Sequence, residues 1–106
     1  PKKVKDLALR SALSSKINAA ELIVLDSIKF KEPKTKEAIE VLKNIKASDK
    51  VVIVINDSDK NALMSFRNLA GVKVIFANRI NVYDILNNDT IIFSREALEK
   101  VMGILS

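Results

Sequence analysis

The chain has 106 residues, a formal net charge of +5, and neither histidine nor cysteine. Without histidine it lacks the commonest general base near neutral pH, and without cysteine it lacks thiol nucleophiles, disulfides and the usual zinc ligands. The length suits one domain with a real core, and 48% apolar residues with only two Gly and two Pro favour a packed α/β domain over a disordered tail.

The charge is unevenly placed. Residues 1–50 carry 12 Lys+Arg against 7 Asp+Glu, whereas residues 51–106 carry 6 against 6. With a pI near 9.6, this reads as a binder that offers one basic surface to a polyanion. No apolar run approaches the roughly 20 residues of a membrane span, and no apolar h-region follows the basic start. The lack of cysteine makes a cytoplasmic setting the expectation. The chain opens at Pro1, without methionine and already helical in character, which reads as a fragment of a longer protein.

A helix is expected over about 3–18. At 100° per residue, Leu9, Leu13 and Ile17 share a stripe, with Ala12 and Ala20 beside it. Lys3, Arg10 and Ser14 fall within roughly 40° of one another on a neighbouring stripe. Lys5 and Lys16 project close to the apolar stripe, so they must snorkel outward or meet something beyond it. A row of Lys, Arg and Ser can hold phosphates. An ordinary solvated helix face has the same composition.

The first strand is expected at Leu22–Leu25. The connection that follows, residues 26–33, has no glycine, so the phosphate loop of a dinucleotide-binding turn is missing. Pro33 suits the first turn of a helix over about 34–47. A second strand at Val51–Ile55 leads to a helix over about 58–69, with Asp57 or Ser58 as its cap and Gly71 at its C-terminal end. Arg67 complements the end of that helix or reaches a phosphate. Residues 72–76 read as the third strand, 82–87 as a short helix or turn in which Val82, Ile85 and Leu86 pack inward, and 91–93 as the fourth strand. Ser94 caps a closing helix over about 94–104.

The first, second and fourth strand runs are continuously apolar, as expected of strands buried on both faces of a parallel sheet. The fold class expected is therefore α/β: a single domain, residues 1–106, built as a three-layer α/β/α sandwich around a mainly parallel four-stranded sheet.

Carboxylates follow two strand ends, Asp26 after the first and Asp57 and Asp59 after the second. Ligands bind there in doubly wound sheets, so a receiver-like or nucleotide-binding regulatory domain with an acidic Mg²⁺ site is one reading. Helix capping by Asp57 and dipole complementation by Asp59 is the other, and no lysine or threonine pattern completes a phosphotransfer site. Tyr83 and Asp84 have no base or metal set to work with, and Asn81 and Tyr83 suit turn hydrogen bonds. A protein-interaction domain facing an acidic partner would also fit the charge split.

Four segments occur in a shared order: 9–16 (Leu-Arg-Ser-Ala-Leu-Ser-Ser-Lys), 32–36 (Glu-Pro-Lys-Thr-Lys), 67–69 (Arg-Asn-Leu) and 81–86 (Asn-Val-Tyr-Asp-Ile-Leu). In order and spacing the chain resembles the C-terminal half of the bacterial large-subunit ribosomal protein four family. That resemblance implies a structural, non-enzymatic role in binding large-subunit ribosomal RNA beside neighbouring ribosomal proteins. It implies no cofactor, no metal, no membrane and no small-molecule substrate. The family's extended basic loop would lie upstream of Pro1. By position, Lys2, Lys3, Lys5, Arg10, Ser14 and Lys16 would follow that loop on the returning helix. Lys34, Lys36, Arg67, Asn68, Arg79 and Asn81 are further candidate RNA contacts. Ser65-Phe66, Arg79 and Asn88 depart from the family's usual small alanines, glycine and histidine. On this reading, reversing Lys3, Arg10 and Lys16 to Glu weakens RNA binding with little loss of fold.

Overall fold

A computed structural model describes residues 2–25, 35–44, 50–67 and 69–105, with side chains described for all of these except 2–5, 35–38 and 44. In chain order the elements are α1 (Lys2–Asn18), β1 (Leu22–Leu25), α2 (Thr35–Asn44), β2 (Val51–Ile55), α3 (Lys60–Phe66), β3 (Val72–Phe76), a 3₁₀ turn (Ala77–Arg79), α4 (Val82–Asn87), β4 (Thr90–Ser94) and α5 (Arg95–Leu105). The β-branched runs became strands where expected. Pro33 lies outside the described residues.

The four strands form one sheet in the order β1-β4-β2-β3, and every pairing is parallel. The last strand to be made is thus inserted between the first two. Its five residues are all buried, as are the five of β2. Alternate residues point to opposite faces, and the core divides accordingly. Val52, Val54, Ile91 and Phe93 pack with Leu9, Ala12 and Leu13 of α1, Ile85 of α4, and Ala97, Val101 and Leu105 of α5. Val51, Ile53, Ile55 and Ile92 pack with Ala62 and Phe66 of α3, joined by Val41 and Leu42 of α2. Phe66, one departure from the family's small residues, is fully buried in this second cluster.

β1 corrects the expectation of burial on both faces. Among the described residues it pairs only with β4 and so stands at the sheet's edge, and Val24 is 43% exposed. A run of four apolar residues reads alike at an edge and in the interior, which is why the pattern misled.

The helix ends also differ in detail. Residue 59, not 57 or 58, is the N-cap of α3, and its side chain makes no capping hydrogen bond. α3 ends at Phe66 with Arg67 still in right-handed helical conformation. Gly71 does take a left-handed φ of 77°, but it turns the chain into β3 instead of capping the helix. Ser94 caps α5 as expected, its Oγ accepting from the Ala97 N–H at 3.2 Å. Leu86, expected inside, is 57% exposed.

α1 ends in a paired terminal motif. The Glu21 N–H donates to the Lys16 carbonyl at 2.9 Å and the Ala20 N–H to the Ile17 carbonyl at 3.0 Å. Such a six-to-one and five-to-two pair requires a left-handed residue at the turn. That residue is Ala20, at φ 57°, where its Cβ is strained. Ala20 therefore leaves the helix and does not border its apolar stripe. Because Ala20 is exposed, Ala20→Gly removes the clash without opening a cavity. It is expected to stabilise the fold by about 1 kcal/mol and raise Tm by several degrees in a thermal melt.

Candidate nucleic-acid interface

The buried side of α1 is formed by Leu9, Ala12, Leu13 and Lys16. Ile17, expected on that stripe, is 60% exposed. A lysine occupies the buried position because its ammonium meets a partner there. Lys16 Nζ donates to the Asn88 carbonyl at 2.7 Å and lies 3.7 Å from the Glu21 carboxylate.

Asn88 is itself the end of a polar chain through α4. Its Nδ2 donates to the Asp84 carbonyl at 2.7 Å. The Asp84 carboxylate accepts from Lys73 Nζ at 2.6 Å and from Asn81 Nδ2 at 2.7 Å. Asn81 Oδ1 accepts from the Asp84 N–H at 2.9 Å and so caps α4. One connected set of hydrogen bonds thus runs from β3 through α4 to α1. Burial by itself pushes the Asp84 carboxyl up, but the Lys73 and Asn81 hydrogen bonds with the Lys73 charge outweigh it and hold the group below its ordinary value.

The opposite side of α1 faces outward. Arg10, Ser11, Ser14, Ser15 and Asn18 are exposed, and with Leu7 and Ala19 they form one open surface. Arg10 and Ser14 also border a hollow of about 430 Å³ shared with Leu13, Ile17, Met102 and Leu105, between α1 and α5. They form the ridge between the two. Among the described residues, no acidic residue lines either surface. Ser11, Ser15 and Asn18 share this face and were not among the sequence candidates, although their three- and four-residue spacing was readable.

Among the described residues, the other sequence-predicted side chains do not gather into one patch. Lys2, Lys3 and Lys5 belong to α1 and Lys36 to α2, with their side chains outside the described set, while Lys34 and Asn68 lie outside the described residues. Arg67 is exposed at the end of α3, whose Ala62 and Phe66 belong to the other core cluster from α1. Arg79 is exposed on the 3₁₀ turn. Asn81 is exposed and hydrogen-bonded to Asp84, and Lys16 is buried against the Asn88 carbonyl. The triple reversal that includes Lys16 is therefore expected to cost fold stability as well as RNA binding. A glutamate there would face the Asn88 carbonyl and the Glu21 carboxylate.

Among the described residues the acidic strand ends form no metal-holding group. Asp57 lies 3.7 Å from Lys100 of α5, Asp26 is outside the described residues, and no group of three potential metal-ligating side chains comes together among the described residues. No described helix is long and apolar enough to cross a membrane.

Fold and surface together define a parallel α/β domain with no glycine-rich phosphate loop and an exposed, hydroxyl-rich helix face that carries Arg10. The chain matches the ribosomal protein L4/L1 family over residues 1–104. It is 50% identical over 102 residues to the large ribosomal subunit protein uL4 of Acetivibrio thermocellus, covering 95% of this chain and 49% of that protein. It is 48% identical over 107 residues to the uL4 protein of Halothermothrix orenii, covering 100% of this chain and 51% of that one. With the uL4 protein of Moorella thermoacetica the identity is 42% over 106 residues, again covering 51% of the relative. The chain therefore belongs to the ribosomal protein L4/L1 family, as its motifs implied. It spans about half the length of the curated relatives it matches.

Two outcomes follow for the polar chain. A carboxylate held below its unfolded pKa stabilises the fold above that value, and the contribution is lost as pH falls through the folded pKa. Acid titration of stability should therefore show a loss below about pH 4 that Asp84→Asn removes, with the variant already about 1–3 kcal/mol less stable at pH 7. Lys16→Met leaves the Asn88 carbonyl without this donor and should cost about 1–3 kcal/mol in urea unfolding. Lys16→Glu should cost more.

Proposed function

We propose that this chain is part of a structural, non-enzymatic constituent of the large ribosomal subunit in the cytoplasm, and that it binds ribosomal RNA through the outer side of α1. Membership of the L4/L1 family supports the ribosomal role, and so does the name of its relatives, large ribosomal subunit protein uL4. The observation that carries the surface assignment is the exposed pair Arg10 and Ser14 on an open helix face that, among the described residues, has no acidic side chain in its lining.

The mechanism is passive. Cations on the helix neutralise RNA phosphates and release their counterions, while short polar side chains hydrogen-bond the backbone and fix register. Lys3 shares the stripe of Arg10 and Ser14 by helical period. Lys2, Lys5, Lys34, Lys36, Arg67, Asn68 and Arg79 extend the contact in this reading, and Lys16 and Asn81 are left out because the fold uses them. Neighbouring ribosomal proteins are further partners. The sheet contributes rigidity, since the core residues of α1 pack directly on β2 and β4.

The test replaces Lys3 and Arg10 together by Gln and measures binding to a large-subunit RNA fragment across salt concentrations. Affinity should fall, and the magnitude of the slope of log K against log salt should drop by roughly 1.4–1.8, with Tm unchanged. An unchanged slope and affinity would place the RNA contact elsewhere on the chain.

A further inference from the structure

We infer that Lys73 and Asp84 are positioning residues for α1: an exposed ammonium on β3 sets how firmly the last turns of that helix are held, acting through Asp84, Asn88 and Lys16. The inference takes its consequence for RNA from the reading of α1 given above, but the coupling itself is measured without RNA.

The end of α1 is held by little else. Among the described side chains of α1, Leu9, Ala12 and Leu13 are those that join the apolar core, and all three precede residue 14. Ser14, Ser15, Ile17 and Asn18 are exposed, which leaves Lys16 as the one buried side chain over residues 14–18. Its short bond is to the Asn88 carbonyl, at 2.7 Å. The other contact, Glu21 at 3.7 Å, involves a carboxylate whose side chain is 37% exposed, and such a solvated pair contributes little.

The placement of that carbonyl depends on α4. The Asn88 Nδ2 donates to the Asp84 carbonyl at 2.7 Å. On the strand side, the Asp89 and Thr90 N–H groups hold the Lys50 carbonyl at 2.9 and 3.1 Å, which pins the entry to β4. The element able to yield is α4, six residues long, with Tyr83, Leu86 and Asn87 exposed.

Asp84 joins the two halves of the path. Its main-chain carbonyl holds Asn88, while its carboxylate, 5% exposed, accepts from Lys73 at 2.6 Å and from Asn81 at 2.7 Å. A buried carboxylate deprived of its ammonium carries an uncompensated charge, and it must regain water or a proton. An outward shift of α4 gives it water and draws Asn88 away from Lys16. Lys73 itself stands on the edge strand β3 with its side chain 55% exposed. A group at the rim of the sheet therefore governs a helix end that it reaches only through other residues.

The experiment follows backbone amide exchange residue by residue in the protein and in Lys73→Met, Lys73→Arg and Asp84→Asn, with Lys73→Met/Asp84→Asn closing the cycle. Methionine keeps an unbranched stem without the charge. In Lys73→Met, exchange over residues 14–19 should speed up by about tenfold or more. Over α3, whose Ala62 and Phe66 lie in the other core cluster, the change should stay under about threefold. Lys73→Arg, which restores charge and donor, should exchange like the wild type. In the Asp84→Asn background no buried charge needs the ammonium, so adding Lys73→Met should change little. An unchanged rate over residues 14–19 overturns the inference. Equal acceleration of α1 and α3 does the same, since that is general destabilisation, and so does a full Lys73→Met effect in the Asp84→Asn background. Binding to the large-subunit RNA fragment separates the inference from the proposed function. If Lys73→Met loosens α1 and leaves RNA affinity as it was, the coupling stands and the RNA contact lies off α1. If affinity falls while α1 stays protected, Lys73 itself meets RNA and the inference fails.

Discussion

The insertion of β4 between β1 and β2 is the constraint on which the rest of the structure depends. In a β1-β4-β2-β3 sheet, β1 pairs with no other strand among the described residues. The first strand of the chain is therefore held only once the last has arrived, and both flanks of β4 must be in place for its five buried residues to be satisfied. The segment entering β4 is guided accordingly. The Asp89 and Thr90 N–H groups donate to the Lys50 carbonyl before β2, and the Ile91 N–H donates to the Glu21 carbonyl before β1. Contacts of such sequence separation cost loop-closure entropy before they return any stabilisation, so the entry to β4 is where side-chain bonds are best placed.

Those bonds also orient the functional helix. The Lys16 ammonium reaches the carbonyl of Asn88, the residue just after α4 and two before β4. Asn88 is held through Asp84 by Lys73 on β3. α1 is thus tied to the turn that delivers β4, and its rotation about its own axis is set. With Lys16 directed inward, Arg10, Ser11, Ser14 and Ser15 are left facing out. The two sides of one short motif, residues 9–16, divide the labour: Leu9, Ala12, Leu13 and Lys16 hold the fold, and the residues between them form the surface proposed for RNA.

Most of the architecture was legible in the sequence because strand runs such as Val51–Ile55 are β-branched and continuous, and the alternation with helices allows few parallel arrangements. What was not legible depended on distant partners. The helical wheel placed Ile17 inside and left Lys16 at the margin, because hydropathy cannot know that a carbonyl 72 positions away will accept from the lysine. The edge position of β1 was hidden because Leu22–Leu25 has the composition of an interior strand. Asp57 appeared to be a cap for want of knowledge that Lys100 stands 3.7 Å from it. Of the candidate site, Arg10 and Ser14 were found by period, while Ser11, Ser15 and Asn18 were overlooked because attention went to charge.

The most direct measurement is ultraviolet cross-linking of large ribosomal subunits from the source cells after a high-salt wash, followed by mass spectrometry of nucleotide-bearing peptides. The chain should remain at parity with other large-subunit proteins, and nucleotide adducts should fall on peptides covering residues 6–16. Loss of the chain into the wash would contradict its place in the subunit. Adducts confined to other parts of the chain would contradict the assignment of α1 as the side that meets RNA.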